Sequence, residues 1–216
     1  MSVISEGDTT ALKEILAEEM RGEVTILLFV KIGDLSSEDA RKLLEEVSSL
    51  SDKIKLQIYD FEKAQEVQKY GIARAPAVTL RGKRDYNIRY YGVPFEQEFE
   101  TLIEWLIRVS KGSAELEENT MRALRELGEE KKLTVLVTYA CPQCPLVAQL
   151  AMRFAMAGEK VRVDVIDIFE FPEVKEDFPV LISTPKVFVG SRTLTGSRGG
   201  NEASLLELIK TKEVTE

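Results

Sequence analysis

The sequence predicts an α/β chain built from two tandem copies of one unit, each a central mixed β-sheet flanked by helices. Three observations predict it. Short continuous apolar runs, typical of buried strands, alternate with stretches of helical periodicity. The pattern then repeats: Leu12 falls on Met121, Ile15 on Leu124, Thr25 on Thr134 and Pro76 on Pro185, each 109 residues later. Between these anchors the offset slips to 107, where Asp60 meets Asp167, and recovers. Finally, 216 residues suit two small domains. The expected domains are 1–112 and 113–216, with a linker near Lys111 to Ala114, where a Gly-Ser pair follows a helix.

The first copy opens with helical spacing of Leu12, Ile15, Leu16 and Met20 over 11–20. Residues 25–31 are a buried strand and 36–50 an amphipathic helix through Leu43, Leu44, Val47 and Leu50. Residues 54–61 alternate as a strand, and 62–70 form a short helix. Residues 75–81 and 86–91 pair as strands around a turn containing Gly82, and 95–109 close the unit with a helix. The second copy repeats this. Met121, Leu124 and Leu127 mark a helix, 134–139 a strand, and 146–157 a helix with Leu146, Val147, Leu150, Ala151 and Phe154 inward. Strands follow at 161–168, 186–189 and 193–195, then a last helix at 204–211. Each copy is thus a β-α-β element followed by β-β-α. Trp105, Tyr90 and Tyr91 read as core residues.

Composition removes several functions. The formal net charge is −8, from 29 basic and 37 acidic residues, and no long basic cluster appears. Nucleic-acid binding, which rests on phosphate neutralisation, is not expected. The N-terminal ten residues lack a charged and then apolar leader pattern. The longest apolar run, Ile26 to Val30, is too short to span a bilayer. The expectation is a soluble cytoplasmic protein that binds no membrane. Histidine is absent, which excludes imidazole bases and imidazole metal sites. Asn and Gln are scarce beside abundant Glu, Lys and Arg, a composition that leans towards a thermophile.

The chemistry-bearing signal is Cys141-Pro142-Gln143-Cys144-Pro145, between a buried strand and a helix. The chain has only these two cysteines, so they staple nothing distant. A helix N-terminus carries unpaired N–H groups and about half a positive charge, which favours a thiolate. Pro142 suits the first helical position, where its missing N–H is no loss. Cys141 is then the exposed nucleophile of lowered pKa, and Cys144, one turn in, resolves the mixed disulfide. Asp167 ends a strand near the motif and is a candidate proton acceptor for Cys144. Strand ends commonly carry capping aspartates, and with Asp60 at the equivalent place the solvated cap is the preferred reading.

The order strand, CPQC, helix and then Thr184-Pro185 resembles the thioredoxin and glutaredoxin superfamily. Two tandem copies resemble the protein disulfide oxidoreductase family of thermophiles, through "ACPQCPLVAQLAMRFA", "FEFPE" and "RYYGVPFEQEFETLIEWL". The chain is similar also to the N-terminal domain of the alkyl hydroperoxide reductase flavin subunit, through "SLSDKIKL", "TPKVFVGSRTLTG" and a cysteine-free first unit. The resemblance implies two tandem thioredoxin-like folds, a cis Thr184–Pro185 bond, and a Thr184 backbone that pairs with extended substrate beside Pro142 and Gln143. In copy one the motif positions are Ile32, Gly33, Asp34 and Leu35, so that unit has no thiol chemistry.

The leading expectation is a thiol–disulfide oxidoreductase. The resemblance implies electrons from an NADPH-dependent, thioredoxin-reductase-like flavoprotein, passed to protein disulfides or a peroxiredoxin. The chain has no Gly-rich dinucleotide fingerprint, so the Cys141–Cys144 pair is expected to be its only redox group, with no bound cofactor. Three alternatives compete. The stretch from Thr195 to Leu208 resembles the Gly-Gly acidic segment with which glutaredoxins hold glutathione, although a helix cap at Asn201 is the simpler reading. A metal site would need about four ligands where the chain offers two thiols. A purely structural disulfide closing so short a loop gains little.

Overall fold

In the computed structural model, which describes residues 3–178 and 183–211, the chain divides into two compact units. The first comprises Met1–Asp85, Arg89–Val93 and Leu106–Gly112, and the second Tyr86–Ile88, Pro94–Trp105 and Ser113–Glu216. Each is the α/β fold the sequence predicts.

The first unit starts with α1 (Glu6–Glu19) and β1 (Val24–Val30). Every residue of β1 is buried, as a run without polar alternation requires. After it come α2 (Leu35–Ser49), β2 (Ile54–Asp60), α3 (Gln65–Tyr70), β3 (Ala77–Arg81), β4 (Ile88–Tyr91) and α4 (Gln97–Lys111), of which the stretch as far as Trp105 is counted with the second unit. Its strands lie in the order β2-β1-β3-β4. The β1–β2 pair is parallel, with Val24 opposite Ile54, while β1–β3 and β3–β4 are antiparallel. The side chain of Asp34 accepts the Ser37 N–H and caps α2.

The second unit repeats the plan with α5 (Glu118–Arg125), β5 (Lys131–Val137), α6 (Cys144–Ala157), β6 (Val161–Asp167), α7 (Val174–Asp177), β7 (Lys186–Val189), β8 (Arg192–Thr195), a 3-10 turn (Gly196–Gly200) and α8 (Glu202–Lys210). Strand order is β6-β5-β7-β8, again with one parallel pair, β5–β6, and two antiparallel pairs. Helix α6 is apolar nearly all round, and Val147, Leu150, Ala151 and Phe154 are buried. Trp105, Tyr90 and Tyr91 are core residues, as expected.

Several details depart from the sequence reading. Helix α6 begins at Cys144, not at Pro142, and the proline in its first turn is Pro145. Pro142 lies in the tight turn before it, closed by the Cys144 N–H on the Cys141 carbonyl at 3.1 Å. Leu146, expected inward, is 55% exposed, because a helix starting at Cys144 turns this position to solvent. Ile15 is likewise exposed, and α1 buries only Leu16. Helix α7 and the 3-10 turn were not foreseen; both are too short to generate periodicity.

The 3-10 turn packs directly on α6. A Cβ at Gly199 would stand 2.8 Å from Val147 Cγ1 and 3.0 Å from Val187 Cγ2. Gly199→Ala should therefore cost ~1–3 kcal/mol by overpacking. In a thermal melt this lowers Tm by roughly 3–10 °C; an unchanged Tm would mean that the turn does not seat there.

Candidate active site

The site is assembled where β5 gives way to α6. The Cys141 N–H donates to the Thr138 carbonyl at 3.0 Å, which folds the chain back on the strand end. Cys141 and Cys144 are joined by a disulfide, with Cα atoms 5.4 Å apart, inside the normal range. Cys141 is partly exposed, whereas Cys144 is fully buried in the first turn of α6. No side chain caps α6 at Gln143, so its first-turn N–H groups and the positive end of its dipole remain at the motif. The more exposed cysteine is the one that stands before the helix.

The other residues singled out in the sequence reach the same place through two threonines and a tyrosine. The Thr184–Pro185 bond is cis. The Thr184 hydroxyl lies 3.4 Å from that of Thr138, the residue whose carbonyl holds Cys141. The Pro185 carbonyl accepts the Gly196 N–H at 2.9 Å, which fixes the 3-10 turn beside the proline; Pro142 and Gln143 are exposed on the surface of the motif. Asp167 lies opposite Val137 in the β5–β6 pairing. Its Oδ2 accepts the Tyr139 N–H at 3.1 Å and its Oδ1 the Phe169 N–H at 2.8 Å.

Asp167 does cap the chain after β6, but it is not solvated. It is completely buried, and burial raises its pKa in spite of the N–H donors of Phe169, Tyr139 and Glu170. Asp60, its sequence equivalent, behaves oppositely. The Glu62 N–H and the Lys63 ammonium lower its pKa, and it stays partly exposed. The repeat placed these two aspartates together in sequence; only the surroundings separate them.

A second buried carboxylate, Glu98, escaped the sequence reading. It lies in the first turn of α4, a stretch that belongs to the second unit although it precedes Lys111 in the chain. Its neighbour Gln97 donates its N–H to the Tyr139 carbonyl at 3.3 Å, so Glu98 and Asp167 flank the same residue of the cysteine loop. Glu98 has no exposure, and burial pushes its pKa up to about 8, with the Asp167 charge adding to the rise. The Thr101 hydroxyl gives some relief, but among the described residues no well-formed hydrogen bond reaches either carboxylate oxygen. No local signal could have found it: an acidic residue in the first turn of a helix is ordinary.

Large apolar side chains stay exposed on the segments that flank the cysteines. Tyr139 and Phe169 pack with ring centroids 5.3 Å apart and remain 37% and 57% exposed, and Leu146 is exposed as well. In the first unit the same motif positions place Ile32 and Leu35 in solvent and use Asp34 as a cap. The Ala75–Pro76 bond there is also cis. Among the described residues no group of three or more Cys, Asp or Glu side chains is arranged to hold a metal ion. No described helix is long and apolar enough to cross a membrane.

Helix α8 is capped by Asn201, whose side chain accepts the Ser204 N–H at 3.0 Å, so the capping reading of that segment holds.

No family model matches the chain. The fold superposes on the alkylhydroperoxide reductase AhpF of Enterococcus faecalis with a TM-score of 0.85 and 26% identity, over 95% of this chain and 99% of that one. A protein disulfide oxidoreductase from Aeropyrum pernix gives 0.86 at 24% identity, over 95% of this chain and 92% of that one, and shows the same fold. In sequence, an NADH dehydrogenase of Ferdinandcohnia aciditolerans is 26% identical over 88% of this chain but 34% of its own length. The chain spans about a third of the length of the curated relatives it matches. The fold is thus that of two tandem thioredoxin-like units, the second of which carries the disulfide between Cys141 and Cys144.

Proposed function

We propose that the second unit carries out thiol–disulfide exchange on protein substrates, with Cys141 as nucleophile and Cys144 as resolving thiol. The observation that carries this is the asymmetry of the pair: Cys141 is partly exposed ahead of an uncapped helix, and its partner Cys144 is buried in the helix's first turn. In the reduced form the Cys141 thiolate attacks a substrate disulfide. A mixed disulfide forms and one substrate sulfur leaves as thiolate. Cys144 gives up its proton and attacks the Cys141 sulfur. The Cys141–Cys144 bond forms, the second substrate thiolate leaves, and two electrons have passed to the substrate.

Asp167 is the group that takes the Cys144 proton. It is buried and accepts the Tyr139 N–H of the cysteine loop. The exposed Tyr139, Phe169 and Leu146, with Pro142, Gln143 and the Thr184 backbone before Pro185, form the docking rim for an extended substrate segment. An apolar rim favours a protein disulfide over a small charged thiol.

The chain needs a reductant to restore its dithiol. By its likeness to the alkyl hydroperoxide reductase AhpF, the donor is an NADPH-dependent, thioredoxin-reductase-like flavoprotein and the acceptor a peroxiredoxin or other protein disulfide. The cysteine pair is the chain's own redox group, without a bound cofactor.

Asp167 supplies the pH test. It accepts a proton only when ionised, and its pKa is raised. The resolution step in single-turnover measurements should therefore speed up as pH climbs through that raised value. Asp167→Asn removes this limb and slows resolution by about 10²-fold, the ordinary contribution of a positioned base. A pH profile identical to the parent's would eliminate Asp167 from the reaction.

A further inference from the structure

We propose that Asp167 is a positioning residue for substrate: its carboxylate fixes Tyr139 and Phe169 as one aromatic platform, which takes an aromatic or long aliphatic side chain lying within two residues of the reacting cysteine of a protein disulfide. The inference rests on the exchange reading above and deepens it. Strands β5 and β6 pair as far as Val137 opposite Asp167, and the Ile168 N–H still donates to the Val137 carbonyl at 3.0 Å. Beyond that point one segment becomes the cysteine loop and the other leads to α7. Asp167 bridges the two. Its Oδ2 holds the Tyr139 N–H at 3.1 Å and its Oδ1 the Phe169 N–H at 2.8 Å, and the rings of these two residues meet at 5.3 Å. Only a carboxylate offers an acceptor oxygen to each side at once. In the unit without thiols the matching Asp60 makes no such bridge. It holds the Glu62 N–H and the Lys63 ammonium, both on its own segment.

The position of the platform defines its occupant. Both rings keep much of their surface in solvent, which marks a contact surface rather than core. Tyr139 precedes Cys141 by two residues, so their Cα atoms lie within ~7 Å. A polypeptide whose sulfur reaches Cys141 passes the platform within about two of its own residues. Charge selects among such segments. From Phe169 to Asp177 the chain carries Glu170, Glu173, Glu176 and Asp177 against Lys175 alone. Like charges disfavour acidic segments there. The occupant is an apolar, non-acidic stretch of a protein.

Reduced full-length chain is mixed with disulfide-linked dimers of a short neutral peptide that differ only in the residue before the cysteine, Phe or Ser. The first attack is followed by acid quench and mass spectrometry. The Phe dimer is expected to react about tenfold faster. Phe169→Ser brings the two rates together within about twofold. Asp167→Asn does the same, because its amide has one acceptor for two N–H groups. The ratio separates this role from proton transfer: a lost proton acceptor slows resolution for both peptides alike and leaves the ratio of first attacks intact. Equal rates in the parent, or a ratio kept in Phe169→Ser or in Asp167→Asn, overturn the inference while the exchange reading stands. No reaction with either peptide overturns the exchange reading and this inference with it. Should Asp167→Asn not fold, Asp167→Ser decides in its place, since a single hydroxyl oxygen cannot span both N–H groups.

Discussion

Cys141→Ser is expected to abolish reduction of a protein disulfide by the reduced chain, a loss on the order of 10³-fold or more. A serine hydroxyl does not ionise near neutrality and forms no bond to sulfur that can exchange, so neither the first attack nor the resolution survives. Cys144→Ser should behave differently. The first attack still occurs, but the mixed disulfide has no internal thiol to resolve it. The protein then accumulates as a covalent adduct with its substrate, visible on a non-reducing gel and released by dithiothreitol. Neither change should unfold the chain, because the disulfide closes a loop of four residues, too short to constrain the unfolded state much. Turnover that persists in the Cys141→Ser chain would falsify the assignment. An adduct forming in that chain would reverse the roles of the two sulfurs.

Glu98→Gln should produce the largest pH-dependent change in stability. The Glu98 pKa is raised from 4.5 to about 8, first by burial and then by the Asp167 charge. A carboxyl with a raised folded-state pKa binds its proton more tightly in the native chain than in the unfolded one. Its favourable contribution is complete below about pH 4.5 and is lost as pH climbs through about 8. The linkage amounts to a few kcal/mol, on the order of 3–5, across that window. Gln keeps the shape and carries no charge at any pH. The variant should melt close to the parent at pH 5 and well above it at pH 9, by roughly 5–15 °C for a chain of this size. Asp167, whose pKa is also raised, slopes the parent curve in the same direction, so Glu98→Gln flattens the dependence without erasing it. Parallel curves for the two proteins would show that Glu98 does not carry the charge in question.

The site was legible in sequence to the extent that it was local. Cys141, Cys144 and Pro185 announce themselves by residue type, spacing and repeat position, and the structure joins them through Thr138 and Thr184. The exposure of Leu146 follows from where α6 starts, and a turn through Pro142, closed by the Cys144 N–H on the Cys141 carbonyl, decides that, not periodicity. Asp167 was legible as a strand end but not as a buried acid. Glu98 was not legible at all, since it reaches the cysteine loop from 43 residues upstream of Cys141 through a backbone contact between Gln97 and Tyr139.

By itself, the sequence determined the two copies, the class of fold, the buried strands and the position of the only thiols, because apolar period and residue type are properties of neighbouring positions. Tertiary structure decided which carboxylates lose water, which aromatic rings stay in it, and which segments the Asp167 carboxylate ties together. Solvation depends on what distant segments bring against a group, and that is how Asp60 and Asp167, matched in the repeat, end with opposite proton affinities.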